Sequence, residues 1–364
     1  MKTFTEEILL PGPPDAAIKQ DPPCPVFGTC GGCAYQHISY DEELELKARG
    51  LKTFLDNNLG LGSEIFESIL ASPEAYHYRS RIDLSLRRFK DGTLKAGFQR
   101  PERHTLVPVE ACSIARREIT DRIPEVVREA SAKLPEDYKT ANLVIKTGDD
   151  GRVFWGGIGR RSLEMKEADY LWTEIRGVRI FYSLSTFFQA NLGILPGLMD
   201  RIEETGVIRE DCAFLDLYAG VGLFGLSFAR KAAKVVMIEE CPSSSRIASY
   251  NVAYHGLKHV EVRQGKLETE FGPALESAQG LKTVALVDPP RRGLSPRAAA
   301  FLCEAGSLLD SLFYLSCHPE SLARDLAVFL EKGWRVEKVM PLDFFPRTPH
   351  LETLVLMKSP GGGR

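Results

Sequence analysis

Three cysteines near the start of the chain have the spacing of metal ligands. Cys24, Cys30 and Cys33 form a C-x5-C-x2-C pattern in CPVFGTCGGC, where the glycines let the backbone wrap closely around an ion or a cluster. A fourth ligand is needed, and Cys112 is the nearest remaining cysteine on the N-terminal side, with His37 as an alternative. All-cysteine ligation suits zinc or an iron-sulfur cluster, and the spacing leaves both open.

Two further residues stand where reactive groups are expected. Cys317 in YLSCHPESLARDL follows an apolar strand and precedes a polar helix start, where the helix dipole favours the thiolate. Glu352 in DFFPRTPHLETLVLM stands at the start of an apolar strand. The ordinary alternatives are a buried structural thiol and a solvated glutamate, and the position of Cys317 favours a reactive cysteine.

The second half of the chain predicts a sheet whose strand ends carry polar groups. The runs AFLDLY, KVVMIE, TVALVD and LFYLSC alternate with helical stretches, which is typical of a parallel sheet flanked by helices. Ligands of open α/β sheets bind at the carboxyl ends of the strands. We therefore expect the four strand ends to point at one crevice.

A cofactor site is predicted in that crevice. AFLDLY continues into a glycine turn over residues 219–222, and Glu239 ends KVVMIE. The turn lets a ligand approach the backbone, and the carboxylate can accept both ribose hydroxyls of an adenosine-containing cofactor. Asp288 and the two prolines after it add an acid and a rigid corner at the same edge. A structural turn and a solvated strand end are the alternatives.

The composition excludes several classes of protein. The 364 residues are 44% hydrophobic and 26% charged, as in a folded protein large enough for two hydrophobic cores. No run approaches the roughly 20 apolar residues of a membrane-spanning helix, and the acidic start differs from a signal peptide. We expect a cytoplasmic protein in which the eight cysteines form no disulfide framework. Cys212, Cys241 and Cys303 are expected to pack in the interior.

Positive charge is concentrated locally, although the formal net charge is -3. Between Tyr76 and His104, eight Lys or Arg residues stand against three acids. The alternating runs RIDLSLRRF, TLKAGFQ and HTLVPV predict a hairpin-rich sheet that carries them. A basic sheet surface of this kind is typical of nucleic-acid binding.

Taken together, these segments resemble the bacterial class I RNA 5-methyluridine methyltransferases, which act on tRNA and 23S rRNA. CPVFGTCGGC, FFQANLG, DLYAGVGLFGL, the Glu239 strand, DPPRRGL, LSCHPESLARDL and FPRTPHLE follow in that family's order over nearly the whole chain. The resemblance implies an α/β fold with a C-terminal Rossmann-like class I methyltransferase domain and an N-terminal and central α+β iron-sulfur domain. The implied segments are 1–60 for the lead-in and iron-sulfur segment, 61–180 for the RNA-binding domain that contributes Cys112, and 181–364 for catalysis.

The resemblance also implies a role for each candidate residue, with S-adenosylmethionine as the methyl donor and structured RNA, 23S rRNA or tRNA, as the partner. No membrane or obligate protein partner is implied. Leu223 and Lys266 depart from the family, where relatives often carry Asn and an acidic or amide residue. The implied 4Fe-4S ligands are Cys24, Cys30, Cys33 and Cys112, the implied S-adenosylmethionine contacts are Gln189, Tyr218, Glu239 and Asp288, the implied nucleophile is Cys317 and the implied base is Glu352.

Two other functions fit parts of the pattern. An amino-group methyltransferase acting on adenine or guanine would use the acid-Pro-Pro corner but would not need Cys317. A metal-stabilised RNA-binding protein with impaired catalysis would fit Leu223 and Lys266, whereas Cys317 and Glu352 argue against it.

Overall fold

The computed structural model describes residues 3–5, 19–100, 105–159 and 161–360. Most of the proline-rich lead-in and the charges at Glu102 and Arg103 lie outside these ranges. None of the described helices is long and apolar enough to cross a membrane. The helices are α1 (Tyr40–Leu59), α2 (Arg117–Lys133), α3 (Leu195–Glu204), α4 (Leu223–Phe228), α5 (Pro242–Tyr254), α6 (Leu267–Ser277), α7 (Pro296–Glu304) and α8 (Pro319–Glu331), with short 3-10 turns at Ser63–Ile65, Glu167–Asp169 and Ala305–Ser307.

A seven-stranded sheet forms the larger unit, in the order β10-β9-β8-β11-β12-β14-β13. β14 runs antiparallel to both neighbours, and the other described pairings are parallel. This order, 3-2-1-4-5-7-6 within the unit, is the Rossmann-like arrangement that the sequence predicted. The strands are β8 (Cys212–Leu217), β9 (Lys234–Glu239), β10 (Val260–Gln264), β11 (Lys282–Val287), β12 (Ser311–Ser316), β13 (Arg335–Leu342) and β14 (Glu352–Lys358).

The central strands of this sheet are buried on both faces by helices. Every residue of β8 and β12 is buried, which explains why their sequences read as continuous apolar runs rather than alternating ones. One hydrophobic cluster lies on each face of the sheet. The two clusters pack against the strands, so residues just beyond the strand ends have defined positions.

The smaller unit is a five-stranded antiparallel sheet, in the order β3-β2-β1-β4-β5, with α2 against one face. Ile82, Leu84 and Leu86 of β1 alternate toward α2, so the residues between them face the other way. The predicted hairpin sheet is therefore confirmed, and several of the predicted basic residues lie on its open face. The strands are β1 (Arg81–Arg88), β2 (Leu94–Gln99), β3 (Leu106–Pro108), β4 (Thr140–Thr147) and β5 (Val153–Gly156).

A hairpin of β6 (Leu171–Ile175) and β7 (Val178–Tyr182) joins the two units. Its buried side chains belong to the hydrophobic core of the seven-stranded sheet. The division at residue 180 stays a prediction, and this packing favours a boundary before the hairpin.

Helix α1 packs against α8, a helix that lies far from it in the sequence. Leu51, Phe54 and Leu55 lie in the same hydrophobic cluster as Leu322 and Leu326 of α8. The helix begins at an N-cap, Ser39, which accepts a hydrogen bond from the Glu42 N–H. Helix α1 thus extends the larger unit, whereas Val26, earlier in the same segment, packs against the core of the smaller unit.

Candidate active site and cysteine cavity

Cys317 and Glu352 meet at one edge of the seven-stranded sheet. Ser316 of β12 is paired with Thr353 of β14 in an antiparallel register. One step further along, the same register brings Cys317 level with Glu352. The Glu352 side chain is buried, and its Oε2 has no hydrogen-bond partner among the residues that the structure describes, whereas Cys317 is only half-buried. A partly accessible thiol therefore lies beside a carboxyl group with a free acceptor site.

The thiol of Cys317 is not activated by its helix in the way that the sequence predicted. Burial, together with the carboxyl groups of Glu352 and Asp288, raises the pKa of Cys317 to about 11, although Arg291 lowers it. α8 begins only at Pro319, two residues beyond the thiol. The penalty for a buried anion beside two acids outweighs the helix dipole, so the prediction of a stabilised thiolate in the ligand-free protein is wrong.

Three carboxyl groups interact near the ends of β8, β11 and β12: Asp216 and Glu352 are buried, and Asp288 is partly buried and acts on both Glu352 and Cys317. Burial raises the pKa of Asp288 from 3.8 to about 7, with a further contribution from Asp216. Burial likewise raises the pKa of Asp216 to about 7 and that of Glu352 well above its usual value, with Asp288 as the second cause for Glu352. Sequence reasoning missed Asp216, although an acid inside the apolar run AFLDLY was a visible signal.

The carboxyl cluster makes the stability of the ligand-free protein depend on pH. In the unfolded chain these groups release their protons near pH 4, whereas Asp216 and Asp288 hold theirs in the folded protein to about pH 7. The folded state binds more protons between these values, so stability falls as pH rises through that window. Relative to wild type, we expect Asp288→Asn to raise the free energy of unfolding by about 3 kcal/mol more at pH 8 than at pH 5.

Thermal unfolding of the ligand-free protein at both pH values measures this effect. Asp137→Asn, at an exposed position, is the matched control and should change stability equally at pH 5 and pH 8. An equal effect of Asp288→Asn at the two pH values would contradict the proposed protonation of the cluster.

Gln189, Tyr218 and Asp288, three of the four predicted cofactor residues, line cavities at the carboxyl edge of β8, β9 and β11, and the residues on either side of Glu239 line the larger cavity. A small cavity of about 30 Å³ is lined by Gln189, Tyr218 and Asp288 among others, and the Gln189 Nε2 donates to the Asp288 Oδ2 at 3.3 Å. A larger cavity of about 300 Å³ lies beside Tyr218, Pro290 and Lys266. Tyr218 lines both cavities, so together they can take the two ends of a ligand of nucleoside size.

Glu239 is oriented by the backbone around it. Its Oε2 accepts the Gly220 N–H at 2.8 Å, and its Oε1 accepts the Cys241 N–H at 2.7 Å. Each carboxylate oxygen has a second lone pair, so two acceptor sites remain for ribose hydroxyls. Gly220 and Gly222 have φ values of 58° and 95°, which explains the need for glycine in this turn.

The two departures from the resembling family lie at these cavities. Leu223 is buried and lines the small cavity. Lys266 lines the large cavity, with its Nζ 3.8 Å from the Glu240 carboxylate at the surface. Among the other cysteines, Cys212 and Cys303 are buried as predicted, whereas Cys241 is exposed.

A buried lysine fixes the loop that carries Gln189. The Lys146 Nζ donates to the Ser183 carbonyl at 2.9 Å and to the Thr186 carbonyl at 2.6 Å. Burial lowers the pKa of Lys146 to about 7. Sequence reasoning missed this residue because a lysine in the alternating run TANLVIKT reads as solvent-facing.

All four predicted cluster ligands line one cavity of about 270 Å³. Cys24, Cys30 and Cys33 come from the N-terminal segment, and Cys112 comes from the loop after β3. Within the described ranges, no three His, Cys, Asp or Glu side chains form a group that could hold a metal ion. A single zinc ion would draw its sulfur ligands to roughly 3.8 Å from one another. The four thiols therefore share one cavity without the close approach that a single bound ion requires.

Other proteins show the same sequence pattern. The model of the tRNA (uracil-5-)-methyltransferase family matches residues 165–359. An uncharacterized RNA methyltransferase of Caldanaerobacter subterraneus is 28% identical, over 92% of this chain and 84% of its own. A 23S rRNA (uracil(1939)-C(5))-methyltransferase of Haemophilus parainfluenzae is 24% identical, over 94% of this chain and 83% of its own.

A solved structure shares the fold. The tRNA (uracil-54, C5)-methyltransferase of Pyrococcus abyssi, in complex with S-adenosyl-L-homocysteine, superposes with a TM-score of 0.66 at 23% identity, covering 89% of this chain and 85% of that one. The family match spans more than half of the chain and includes Cys317, Glu352 and the four predicted cofactor contacts. The chain therefore belongs to the tRNA (uracil-5-)-methyltransferase family, whose members transfer a methyl group from S-adenosylmethionine to C5 of uracil in RNA.

Proposed function

We propose that this protein methylates C5 of a specific uridine in 23S rRNA or tRNA through a covalent bond between Cys317 and C6 of the base. The supporting observation is the pairing of a half-buried thiol with the buried, partly unpartnered carboxyl group of Glu352 at the carboxyl edge of the sheet. An amino-group methyltransferase needs neither residue.

The nucleophile makes C5 reactive. Uracil C5 attacks a sulfonium methyl group poorly, whereas addition of the Cys317 thiolate to C6 moves the C5–C6 electron pair into an enolate with a nucleophilic C5. Gln189, Tyr218, Glu239 and Asp288 would hold S-adenosylmethionine, which would supply the methyl group and a positive sulfonium that favours the ionised forms of Cys317, Glu352 and Asp288. C5 takes the methyl group, and the C–S bond of the sulfonium breaks.

Glu352 completes the reaction by removing a proton. After transfer, C5 carries both a methyl group and a hydrogen, and the Glu352 carboxylate takes that hydrogen as a proton. The C5–C6 double bond reforms and the Cys317 sulfur leaves as a thiolate. Burial favours a Glu352 that binds a proton readily, which suits a base that must accept one from carbon.

The target uridine has to leave its stack to reach this edge, at a cost of a few kcal/mol. Phe187 is 63% exposed and lines the small cavity together with Gln189 and Asp288. Aromatic faces stack on unstacked bases, so Phe187 supports the extruded nucleotide. The open basic face of the five-stranded sheet would hold the surrounding RNA through its phosphates.

We propose that Cys24, Cys30, Cys33 and Cys112 hold a 4Fe-4S cluster with a structural or RNA-positioning role. The support is the single cavity that the four cysteines share and the left-handed φ values of Gly28 and Gly31, 76° and 77°, which let the chain wrap around a bulky group. The methyl transfer moves no net electrons, so it requires no redox role of the cluster.

Trapping with 5-fluorouridine tests the proposed function. Fluorine on C5 cannot leave as a proton, so the enzyme should remain bound to methylated RNA and survive denaturing electrophoresis. The assay uses tRNA and 23S rRNA transcripts with S-adenosylmethionine, and the transcript that is captured identifies the RNA class. Cys317→Ala should give no adduct. Methyl transfer to ordinary RNA without any adduct on fluorinated RNA would exclude the covalent mechanism and favour an amino-group methyltransferase.

A further inference from the structure

The loop that leads into Glu352 is held by donors from four distant parts of the chain. The carbonyl of Phe344 accepts the Asn191 Nδ2 at 3.1 Å, and that of Phe345 accepts the Lys47 Nζ at 3.2 Å. These two bonds fix the first half of the loop. Asn191 precedes α3 and Lys47 lies in α1, so the two donors come from parts of the chain that lie 153 and 298 residues before their acceptors.

The second half of the loop is held in the same way. The carbonyl of Pro346 accepts the Tyr78 hydroxyl at 3.0 Å. The carbonyl of Arg347 accepts the Ala34 and Tyr35 N–H groups at 2.7 and 3.2 Å. Four consecutive carbonyls just before Glu352 are thus bound, which is unusual for an irregular loop because such groups are commonly left to water.

A buried network of ion pairs lies under this loop. The Lys47 Nζ contacts the Glu43 Oε1 and the Asp343 Oδ1, both at 2.7 Å, and all three side chains are fully buried. The Arg347 N–H donates to the Glu43 Oε1 at 2.7 Å, and its guanidinium lies 3.6 Å from the Glu43 Oε2. Two cations and two acids balance one another in the interior.

Arg347 also adopts a strained backbone. Its φ is 67°, a left-handed conformation that a bulky side chain rarely adopts. The guanidinium donates to the carbonyls of Tyr35 and Ile38 at 3.3 and 2.9 Å. Buried ion pairs seldom add net stability compared with apolar residues, so a network combined with local strain calls for a functional explanation.

We infer that Lys47, together with Tyr78 and Arg347, is a positioning residue that holds the loop 343–347 so that the Glu352 carboxyl lies at the C5 hydrogen of the methylated base. This inference rests on the proposed function and adds the residues that place its base. None of the three acts on the substrate. Loosening the loop should therefore slow proton removal and thiol release more than adduct formation.

The test separates those two steps with ordinary uridine RNA. Wild-type protein should show little covalent complex at steady state, because release keeps pace with formation. Lys47→Met, which keeps the length of the side chain but removes the charge, should accumulate methylated covalent complex at least tenfold over wild type. Lys52→Met, at an exposed position on the same helix, is the matched control and should behave like wild type.

Tyr78→Phe removes a single hydroxyl group and tests the positioning role if Lys47→Met fails to fold. It should also accumulate complex, by about threefold or more. Glu352→Gln in the same assay distinguishes the two proposals. Accumulation with Glu352→Gln but neither with Lys47→Met nor with Tyr78→Phe overturns the positioning role alone. If Lys47→Met folds and slows adduct formation and adduct release by the same factor, the positioning role is overturned as well. No complex with Glu352→Gln and none on fluorinated RNA overturns the proposed function itself.

Discussion

Glu352→Gln is expected to convert the enzyme into one that methylates its RNA once and then stays attached to it. The amide keeps the shape of the carboxyl group but cannot accept the C5 proton, so the Cys317–C6 bond cannot be released. General base catalysis contributes roughly 10²- to 10⁴-fold, and we expect multiple-turnover methylation to fall by about that factor. A single-turnover experiment with labelled S-adenosylmethionine should still place label in a protein–RNA complex on ordinary uridine.

Glu320→Gln supplies the control for this prediction. Glu320 lies in the first turn of α8, and its Oε1 accepts the Phe4 N–H, so the exchange removes a carboxylate near Cys317 without touching the proposed base. It should turn over within a few-fold of wild type. Free methylated RNA released at the normal rate by Glu352→Gln would show that another group removes the proton, and Asp288 would then be the first candidate.

Cys33→Ser is expected to remove the cluster and, with it, the order of the N-terminal segment. Thiolate ligands of a structural metal group contribute much of the folding free energy of small metal-binding segments, and Cys33 is more deeply buried than Cys30. We expect purified wild-type protein to be brown with iron and sulfide in equal amounts, and the variant to be colourless with less than a tenth of that iron.

Cys241→Ser is the matched exchange outside the cavity, at an exposed cysteine. It should retain both iron and sulfide. Zinc without sulfide in wild-type protein prepared without oxygen would contradict the cluster and leave a zinc site in its place. If Cys33→Ser retained all of the iron, Cys33 would not be a ligand and other residues would bind the cluster.

Motifs with a strong local signal were predictable from the sequence. The four strands that end at the active edge occur at the predicted positions. Each has an apolar run followed by a polar residue or a turn. Cys317 and Glu352 stood out because Cys317 directly follows an apolar strand and Glu352 begins one.

Features that depend on partners distant in the sequence were not predictable. Cys317 lies near a helix start, but burial raises the pKa of its thiol, and the carboxyl groups of Glu352 and Asp288, which strand pairing brings near it, add to that rise. Lys47 and Glu43 look like an ordinary surface pair four residues apart on a helix, and only Asp343 and Arg347 reveal that both are buried. Lys146 is a comparable case, since its carbonyl partners lie almost 40 residues away.

The packing of α1 on α8 has a consequence for synthesis on the ribosome. The apolar side of α1 emerges early, but its partners Leu322 and Leu326 follow about 270 residues later. At about 5–20 residues per second, the helix waits roughly 15 to 50 seconds with Leu51, Phe54 and Leu55 uncovered. Nascent chains of this protein should therefore depend on holding chaperones during translation, and the loop before Glu352 can settle only after residues 343–347 have been synthesised.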